Sequence, residues 1–538
     1  MKKLLILLFV KIAFLLATLS LKAVPLPQQA LLLSEAAFLA ISFCFFPRML
    51  RWTLGTVLVV FHVLQFVNIF ETGTLIHELT ILNLPAAEND IAPSVLAKLA
   101  AAGIIYLMLW LPDLFAETRI QIKKKTALIA VVAASLYGNY LFSLPAYSFF
   151  KTLKSAYRNI TFIPERNDGT DFLREDIVTS HNDDYRRFTF AVEKPNVVLL
   201  FAEGTSELVL SEKLTPNTMR FLNQSIRFTN YFNHTAATFR GIRGQMISGY
   251  QFVVGGYYQN RTGVGQMTQA EIEQAFRDRV ESLPMILAEH GYETIFCSPH
   301  SHKEHLAEML KSTGFEKAYG SEEFGVTDRA LSDKEQYERI LQVFSQHRSD
   351  DRPLFLSAYI YGTHHGMDSE DIKYCDGSNS YLNKFHNQDV WFGRFLTELE
   401  KRGMLDDTVV IWTTDHATYP TPEFNSTFQV SKKYFVDRIP LGIYYQNMTP
   451  AVIDAKNRNS LSLAPTILDI VGIRHHRNHF LGRSLFSDEE SPFIRISNIG
   501  SDFYLLENGV VTEKPQKEMP SDIIRSVNRY NGFSSSLF

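Results

Sequence analysis

The sequence predicts a membrane domain of about five α-helices followed by an α/β domain with a mostly parallel sheet and flanking helices. Roughly the first 150 of the 538 residues are strongly apolar, whereas the remainder has the composition of a soluble protein. After residue 195, short β-branched runs alternate with longer helical stretches, which indicates an α/β sheet. We therefore expect a helical domain at 1–150, a connecting segment at 151–194 and an α/β domain at 195–538.

Five apolar segments carry the membrane prediction, because each is long enough to cross a hydrocarbon core of about 30 Å. They are residues 4–24, 29–46, 53–70, 93–115 and 127–144. The first resembles a signal peptide, but four more segments follow it, which favours a membrane anchor. Lys11 interrupts this first segment, and a charge at mid-membrane costs roughly 3 kcal/mol.

The loops between these segments predict the orientation of the chain. Basic residues lie before the first segment and in alternate loops thereafter, at Lys2, Lys3, Arg48, Arg51, Arg119, Lys123, Lys124 and Lys125. The loop between the third and fourth segments is acidic instead, with Glu71, Glu78, Glu88 and Asp90. By the positive-inside rule the basic loops face the cytoplasm. Five spans then place the second half of the chain outside the cell membrane, in the periplasm of a Gram-negative cell.

The connecting segment has two parts. Residues 147–163 mix aromatic side chains with lysines, which is typical of a helix lying on the outer membrane surface, although a plain linker helix has the same pattern. Residues 164–194 form a polar linker. A net charge of −4 and the lack of a basic, aromatic-rich patch argue against nucleic-acid binding. Cys297 and Cys375 could form a disulfide in an exported domain or stay unpaired.

In the α/β domain the pattern predicts strands at 197–202, 294–298, 353–360, 409–414 and 441–445, and helices at 216–225, 269–290, 302–311, 379–402 and 463–471. Two of the strands end abruptly in side chains with functional groups. Glu203 follows the first, and Asp415 and His416 follow the strand at 409–414. Buried parallel strands deliver ligands to their carboxyl ends in this way.

Two carboxylates and an imidazole suit a divalent cation such as Zn, Mn or Mg. A hydroxyl nucleophile would complete the site, since metal coordination is one of the few ways to activate a threonine near neutral pH. The stretch at 235–249, TAATFRGIRGQMISG, offers two threonines, Thr235 and Thr238. It also contains Arg240 and Arg243, which could hold a phosphate by forked hydrogen bonds or have a structural role.

Four motifs resemble the sulfatase/alkaline-phosphatase superfamily. They are NVVLLFAE at 196–203, TTDH at 413–416, SLAPTILDIVG at 462–472 and HFLGRSLF at 479–486. The resemblance is to the membrane branch, which contains lipoteichoic acid synthases, phosphoglycerol transferases and phosphoethanolamine transferases, and it implies an alkaline-phosphatase-like fold for the exported domain. Neither substrate subclass is matched cleanly, because the sequence SHKEH stands at 301–305, where the synthases have aromatic and basic residues, and the disulfides of the ethanolamine enzymes are missing.

The resemblance implies a role for each matching residue. Glu203, Asp415 and His416 would bind the metal, and Thr238 would be the nucleophile facing it, with Thr235 as the competing candidate. His364 and, by a looser match, His300 would bind the substrate phosphate. No cysteine lies near Thr238, which excludes the formylglycine chemistry of true sulfatases.

The function implied is a metal-dependent transferase. It would move a phosphoglycerol or phosphoethanolamine headgroup from a phospholipid donor to a glycan or lipid-glycan acceptor through a phospho-threonine intermediate. A membrane-anchored phosphodiesterase or phosphatase on the same fold is the alternative, with water as acceptor. A non-catalytic receptor or assembly subunit is less favoured, because the predicted ligands and nucleophile are all present.

Overall fold

The computed structural model describes residues 2–21, 24, 26–76, 80–81, 93–115, 129, 133, 137–138, 141, 144–161, 167–185, 194–250, 280–302, 310–347, 352–369, 371–500 and 502–534. The chain divides into a helical unit, residues 1–160 with 420–433, and an α/β unit, residues 161–419 with 434–538. The predicted fifth span at 127–144 lies almost wholly outside the described residues, as does the predicted helix at 302–311.

The helical unit contains five long helices within its described residues. These are α1 (Lys2–Leu21), α2 (Leu26–Phe45), α3 (Thr56–Thr72), α4 (Pro93–Phe115) and α5 (Pro145–Thr161). A short helical turn and a π-helical turn extend α3 back to Arg48. Three stretches are long and apolar enough to cross a membrane, namely Leu26–Phe45, Arg48–Thr72 and Ala97–Phe115. The described residues therefore give three candidate spans, and the predicted count of five is not confirmed.

Polar side chains inside the helical unit meet one another in pairs. Lys11 of α1 contacts Asp113 of α4 at 2.5 Å, and both side chains are almost completely buried. His62 of α3 contacts Glu35 of α2 at 2.5 Å and the Tyr106 hydroxyl of α4 at 2.8 Å. A charge buried without a partner in an apolar bundle is costly, so these pairs offset the penalty that Lys11 alone would carry.

The α/β unit is built on an eight-stranded sheet. Its strands are β2 (Asn196–Ala202), β3 (Ile226–Thr229), β4 (Glu293–Cys297), β5 (Lys317–Tyr319), β6 (Leu354–Ile360), β7 (Thr408–Thr414), β8 (Leu441–Tyr444) and β9 (Ala451–Asp454). Their order across the sheet is β5-β4-β6-β2-β7-β8-β3-β9. The central strand β2 pairs in parallel with both β6 and β7. The predicted, mostly parallel sheet is confirmed. The exception is β8, which runs antiparallel to β7 and β3.

The central strands are buried on both faces, as their apolar sequences predict. Side chains of β2 alternate between two cores, with Val197, Leu199 and Phe201 in one and Val198, Leu200 and Ala202 in the other. The sheet is flanked by α6 (Pro216–Asn223), α7 (Thr238–Met246), α8 (Leu283–Glu289), α9 (Asp333–His347), α10 (Ser380–Lys401) and α12 (Leu463–Ile470). One further helix, α11 (Pro422–Phe428), belongs to the helical unit.

Two smaller sheets complete the α/β unit. Strands β1 (Arg174–Asp176) and β10 (His475–Asn478) pair antiparallel, and β11 (Ile496–Ile499), β12 (Asp502–Glu507) and β13 (Val510–Pro515) form an antiparallel meander that precedes α13 (Ser521–Ser534). Cys297 is buried on β4 while Cys375 is exposed, and both are free thiols. Of the two possibilities left open by the sequence, the structure has the unpaired one.

Candidate active site

The site begins where β2 and β7 end. The two strands are parallel neighbours, and their last residues, Ala202 and Thr414, lie opposite each other in the register. The next residues along the chain, Glu203 and Asp415, therefore emerge side by side at the same edge of the sheet. This is the arrangement that the sequence predicts from two strands ending in acidic side chains.

Glu203, Asp415 and His416 form one buried cluster. A ligand atom from each lies within 4.8 Å of the others. His416 Nε2 is 3.2 Å from Asp415 Oδ2 and 3.4 Å from Glu203 Oε1. The three side chains are at most 6% exposed. The ligand atoms of two carboxylates and an imidazole are thus close enough together to bind one metal ion.

Hydrogen bonds fix the orientation of the cluster. Asp415 Oδ1 accepts from the backbone N–H of Gly204 at 2.9 Å and of His416 at 2.8 Å. His416 Nδ1 lies 2.9 Å from the carbonyl oxygen of Ala417. Because a carbonyl only accepts, Nδ1 carries the proton, and Nε2 is the ring nitrogen that faces the carboxylates. Metal-binding histidines are oriented in this way.

The pKa values of the two carboxyl groups in the cluster are shifted in opposite directions. Burial alone would raise the pKa of Glu203, but the charges of His416 and His364 and a hydrogen bond from Tyr359 hold that pKa at about 2. Burial and the neighbouring Glu203 charge raise the pKa of Asp415 well above its ordinary value. Two carboxylates this close repel each other unless a cation or a proton lies between them.

The cluster fits a divalent cation. Asp415 Oδ2 is buried and accepts no hydrogen bond from the part of the chain that the structure describes. An orphaned carboxylate oxygen is costly in a protein interior, and a metal ion would satisfy it. The donor set of two carboxylate oxygens and one imidazole nitrogen is typical of Zn and Mn sites and also accommodates Mg.

Thr238 supplies the hydroxyl group of the site. It is the first residue of α7, and the preceding Ala237 has a φ of +71°, so the chain turns sharply into the helix. The Thr238 Oγ1 donates to Glu203 Oε2 at 3.1 Å. Thr235 lies elsewhere, because its Oγ1 donates to the carbonyl of Asn498 at 2.8 Å. Of the two candidate threonines, the structure brings Thr238 to the carboxylates.

The two predicted arginines lie on the same helix as Thr238. Arg240 is buried, and its Nε donates to the Ala236 carbonyl at 3.0 Å. Arg243 is fully buried, and burial lowers its pKa to about 10, while the nearby Tyr530 acts in the opposite direction. These contacts are structural, and a role for either arginine on a substrate phosphate stays a prediction.

The predicted histidines His300 and His364 flank a pair of tyrosines at the end of β6. The His300 ring lies 6.0 Å from the ring of Tyr359 and 4.6 Å from that of Tyr361, and His364 lies 4.9 Å from Tyr361. Tyr359 is the residue that the sequence analysis missed. Its hydroxyl donates to Glu203 Oε2 and lies 3.5 Å from Thr238 Oγ1. A tyrosine inside a buried strand needs a hydrogen-bond partner for its hydroxyl. That requirement is the sequence signal that could have drawn attention to Tyr359.

Gly241 lets α7 approach the end of β7. A Cβ added at Gly241 would lie 2.3 Å from the carbonyl oxygen of Asp415 and 2.9 Å from its carbonyl carbon. Backbone atoms directly after a central strand cannot move aside as a flexible side chain can. The closeness of Thr238 to the carboxylates therefore depends on the missing side chain one turn further along its helix.

We expect Gly241→Ala to displace the start of α7 and to lower turnover at least about tenfold, with a loss of stability of about 2 kcal/mol from overpacking. Activity and thermal unfolding of the purified variant measure the two effects. Gly472→Ala is the control, because a Cβ there meets no atom within 4 Å and only its φ of +82° is strained. Equal activity in the two variants would contradict the proposed contact.

Comparisons with known proteins identify the family of the chain and structures of similar fold. The sequence model of the sulfatase family matches residues 195–473. No curated protein matches the chain. A structure of the lipoteichoic acid synthase LtaP from Listeria monocytogenes is similar, with a TM-score of 0.50 and 18% identity over 68% of this chain and 96% of that one. An alkaline phosphatase superfamily protein from Vibrio parahaemolyticus gives a TM-score of 0.49 and 17% identity, over 71% of this chain and 94% of that one.

Proposed function

Because the chain belongs to the sulfatase family, we propose that it is a membrane-anchored, metal-dependent transferase of substituted phosphate groups. The transferred group would be phosphoglycerol or phosphoethanolamine, the donor a phospholipid, and the acceptor a glycan or lipid-glycan of the cell envelope. The observation that carries the proposal is the Thr238 hydroxyl, 3.1 Å from a carboxylate of the buried acidic and imidazole cluster. A nucleophile in that position is required for a covalent intermediate.

Each residue of the site has its own role in the proposed reaction. Glu203, Asp415 and His416 would hold the cation, of Zn, Mn or Mg. A divalent cation bound there supplies a lower pKa for the threonine hydroxyl and charge neutralisation for the phosphoryl oxygens. Thr238 is the nucleophile. His364 and His300, which flank the tyrosines at the end of β6, would stabilise the phosphoryl group, and Arg240 and Arg243 are additional candidates for that role.

The transfer would have two balanced steps. In the first, Thr238 Oγ1 forms a bond to phosphorus, the bond from phosphorus to the diacylglycerol oxygen breaks, and the threonine proton ends on the released diacylglycerol. In the second, an acceptor hydroxyl attacks the same phosphorus, the bond to Thr238 breaks, and the acceptor's proton returns to the threonine. The headgroup is thereby moved without net hydrolysis.

The helical unit supports a membrane donor. Its three apolar stretches are long enough to span a bilayer. Helix α5 also exposes Phe150, Lys151, Lys154 and Tyr157, a combination typical of a membrane surface. We propose a multi-pass protein of the cell membrane whose α/β unit lies on the outer, periplasmic side. A tether to the membrane that contains the donor raises the local concentration of the lipid.

The donor is identified with the full-length protein in detergent, supplied with Mn²⁺ and with phosphatidylglycerol or phosphatidylethanolamine in parallel. We expect diacylglycerol release from one lipid and a mass gain on the tryptic peptide 228–240, which contains both Thr235 and Thr238. Fragmentation should assign the added group to Thr238. Release from neither lipid, with turnover of a soluble phosphate ester, would replace the transferase by the phosphodiesterase or phosphatase alternative.

A further inference from the structure

Tyr359 lies on β6, the strand next to β2, and is almost completely buried. In the parallel register it pairs with Phe201, two residues before Glu203. Its ring lies nearly parallel to that of His300, at an interplanar angle of 23°. The backbone pairing and the ring packing together fix where the phenol oxygen lies.

The Tyr359 hydroxyl and the Thr238 hydroxyl share one acceptor. Both donate to Glu203 Oε2, Tyr359 by a short hydrogen bond and Thr238 at 3.1 Å. The other oxygen of the same carboxylate, Oε1, faces His416 Nε2 at 3.4 Å. Tyr359 and Thr238 therefore both lie on the side of Oε2, while Oε1 faces His416.

We propose that Tyr359 is a positioning residue that orients Glu203 for the divalent cation and sets its distance from Thr238. This inference rests on the proposed function only in requiring that the cluster binds a metal. No sequence motif singles out this tyrosine, and its role follows from the contact with Glu203.

The physical reason is the freedom of a glutamate side chain. Its terminal torsion is broad, so a carboxylate without a fixed partner samples orientations that do not face the metal. A hydrogen bond to one oxygen selects one orientation before the metal arrives. Partners of this kind commonly change metal affinity by about 10- to 100-fold. Without the phenol hydroxyl, Thr238 is the one donor to Oε2 among the described residues, so the carboxylate loses the partner that fixes its orientation.

The test is Tyr359→Phe in the full-length protein, which keeps the ring and its packing against His300 but removes the hydroxyl. The protein is stripped with a chelator and titrated with Mn²⁺ alone by calorimetry, with no lipid present. We expect the dissociation constant for Mn²⁺ to rise about 10- to 100-fold. The unfolding temperature of the metal-free protein should change by only a few degrees.

The matched control is Tyr231→Phe. Tyr231 is as deeply buried in the same unit, and within the described residues its hydroxyl has no hydrogen-bond partner. We expect this variant to bind Mn²⁺ as tightly as the wild type. A purely structural role for Tyr359 would lower the unfolding temperature and leave the dissociation constant unchanged.

An unchanged dissociation constant in Tyr359→Phe would overturn the inference and leave the proposed function standing. The converse is also distinguishable, because weaker Mn²⁺ binding in Tyr359→Phe would support the inference even if no lipid were a donor. A wild-type protein that binds no divalent cation would overturn both.

Discussion

Thr238→Ala is expected to abolish headgroup transfer, with a loss of roughly 10⁴-fold in turnover, as found when a covalent nucleophile is removed. The substitution removes only a hydroxyl and a methyl group from the first residue of α7. The residue is partly exposed, and its side chain has one hydrogen bond below 3.5 Å within the described part of the chain, to Glu203, so the fold should be retained. Diacylglycerol release and the mass of peptide 228–240 measure the effect.

Thr235→Ala is the matched control, because it removes the same atoms three residues away. Its hydroxyl donates to the Asn498 carbonyl rather than to the carboxylates, so we expect turnover within a few-fold of the wild type. Thr238→Ser should retain part of the activity, since it keeps the hydroxyl. Full activity in Thr238→Ala, or its loss in Thr235→Ala alone, would show that the nucleophile has been assigned to the wrong threonine.

Asp415→Asn is expected to lose both the metal and the activity. The asparagine can keep the acceptor that binds the N–H groups of Gly204 and His416, but it removes one negative charge from the cluster and replaces a carboxylate oxygen by an amide. A hard divalent cation prefers the charged ligand. Metal content after dialysis against a defined Mn²⁺ concentration measures the loss, and we expect a fall of at least about 100-fold in affinity.

The control for this substitution is Asp389→Asn, which changes another fully buried carboxylate of the α/β unit. Asp389 accepts from the backbone N–H groups of Asn217 and Thr218 at the start of α6. Loss of the Asp389 charge should weaken its interaction with the N-terminus of α6 and lower the free energy of unfolding by about 1–2 kcal/mol. Metal content should not change. Normal metal content in Asp415→Asn would exclude Asp415 as a ligand.

The two carboxylates and the histidine of the site could be predicted because their positions follow from strand periodicity. Two apolar runs of similar length must both be buried, and parallel neighbours in a sheet end at the same edge. Because Glu203 and Asp415 each follow the last residue of such a run, they lie together at that edge. The argument holds although more than 200 positions of sequence separate Glu203 from Asp415. The central sheet could be predicted for the same reason.

The choice between Thr235 and Thr238 could not be made from periodicity. The two residues lie three positions apart in a segment without a strand or helix pattern. Ala237, whose φ is positive, separates Thr235 from the helix that begins with Thr238. The antiparallel direction of β8 could not be predicted either, because a buried apolar run has the same sequence pattern in a parallel and in an antiparallel pair. The four-residue strands β3 and β9 are missing from the sequence prediction, because IRFT and AVID each lack the continuous apolar run of the longer central strands.

The ion pair between Lys11 and Asp113 bears on how the protein is made. If the helical unit crosses the membrane as proposed, α1 leaves the ribosome about 100 residues before its partner aspartate. During that interval an isolated lysine at mid-bilayer is disfavoured by roughly 3 kcal/mol. The penalty is removed only when α4 brings Asp113 to Lys11, so the packing of α1 depends on the presence of α4. Two helices far apart in the sequence are thereby coupled through one buried ion pair.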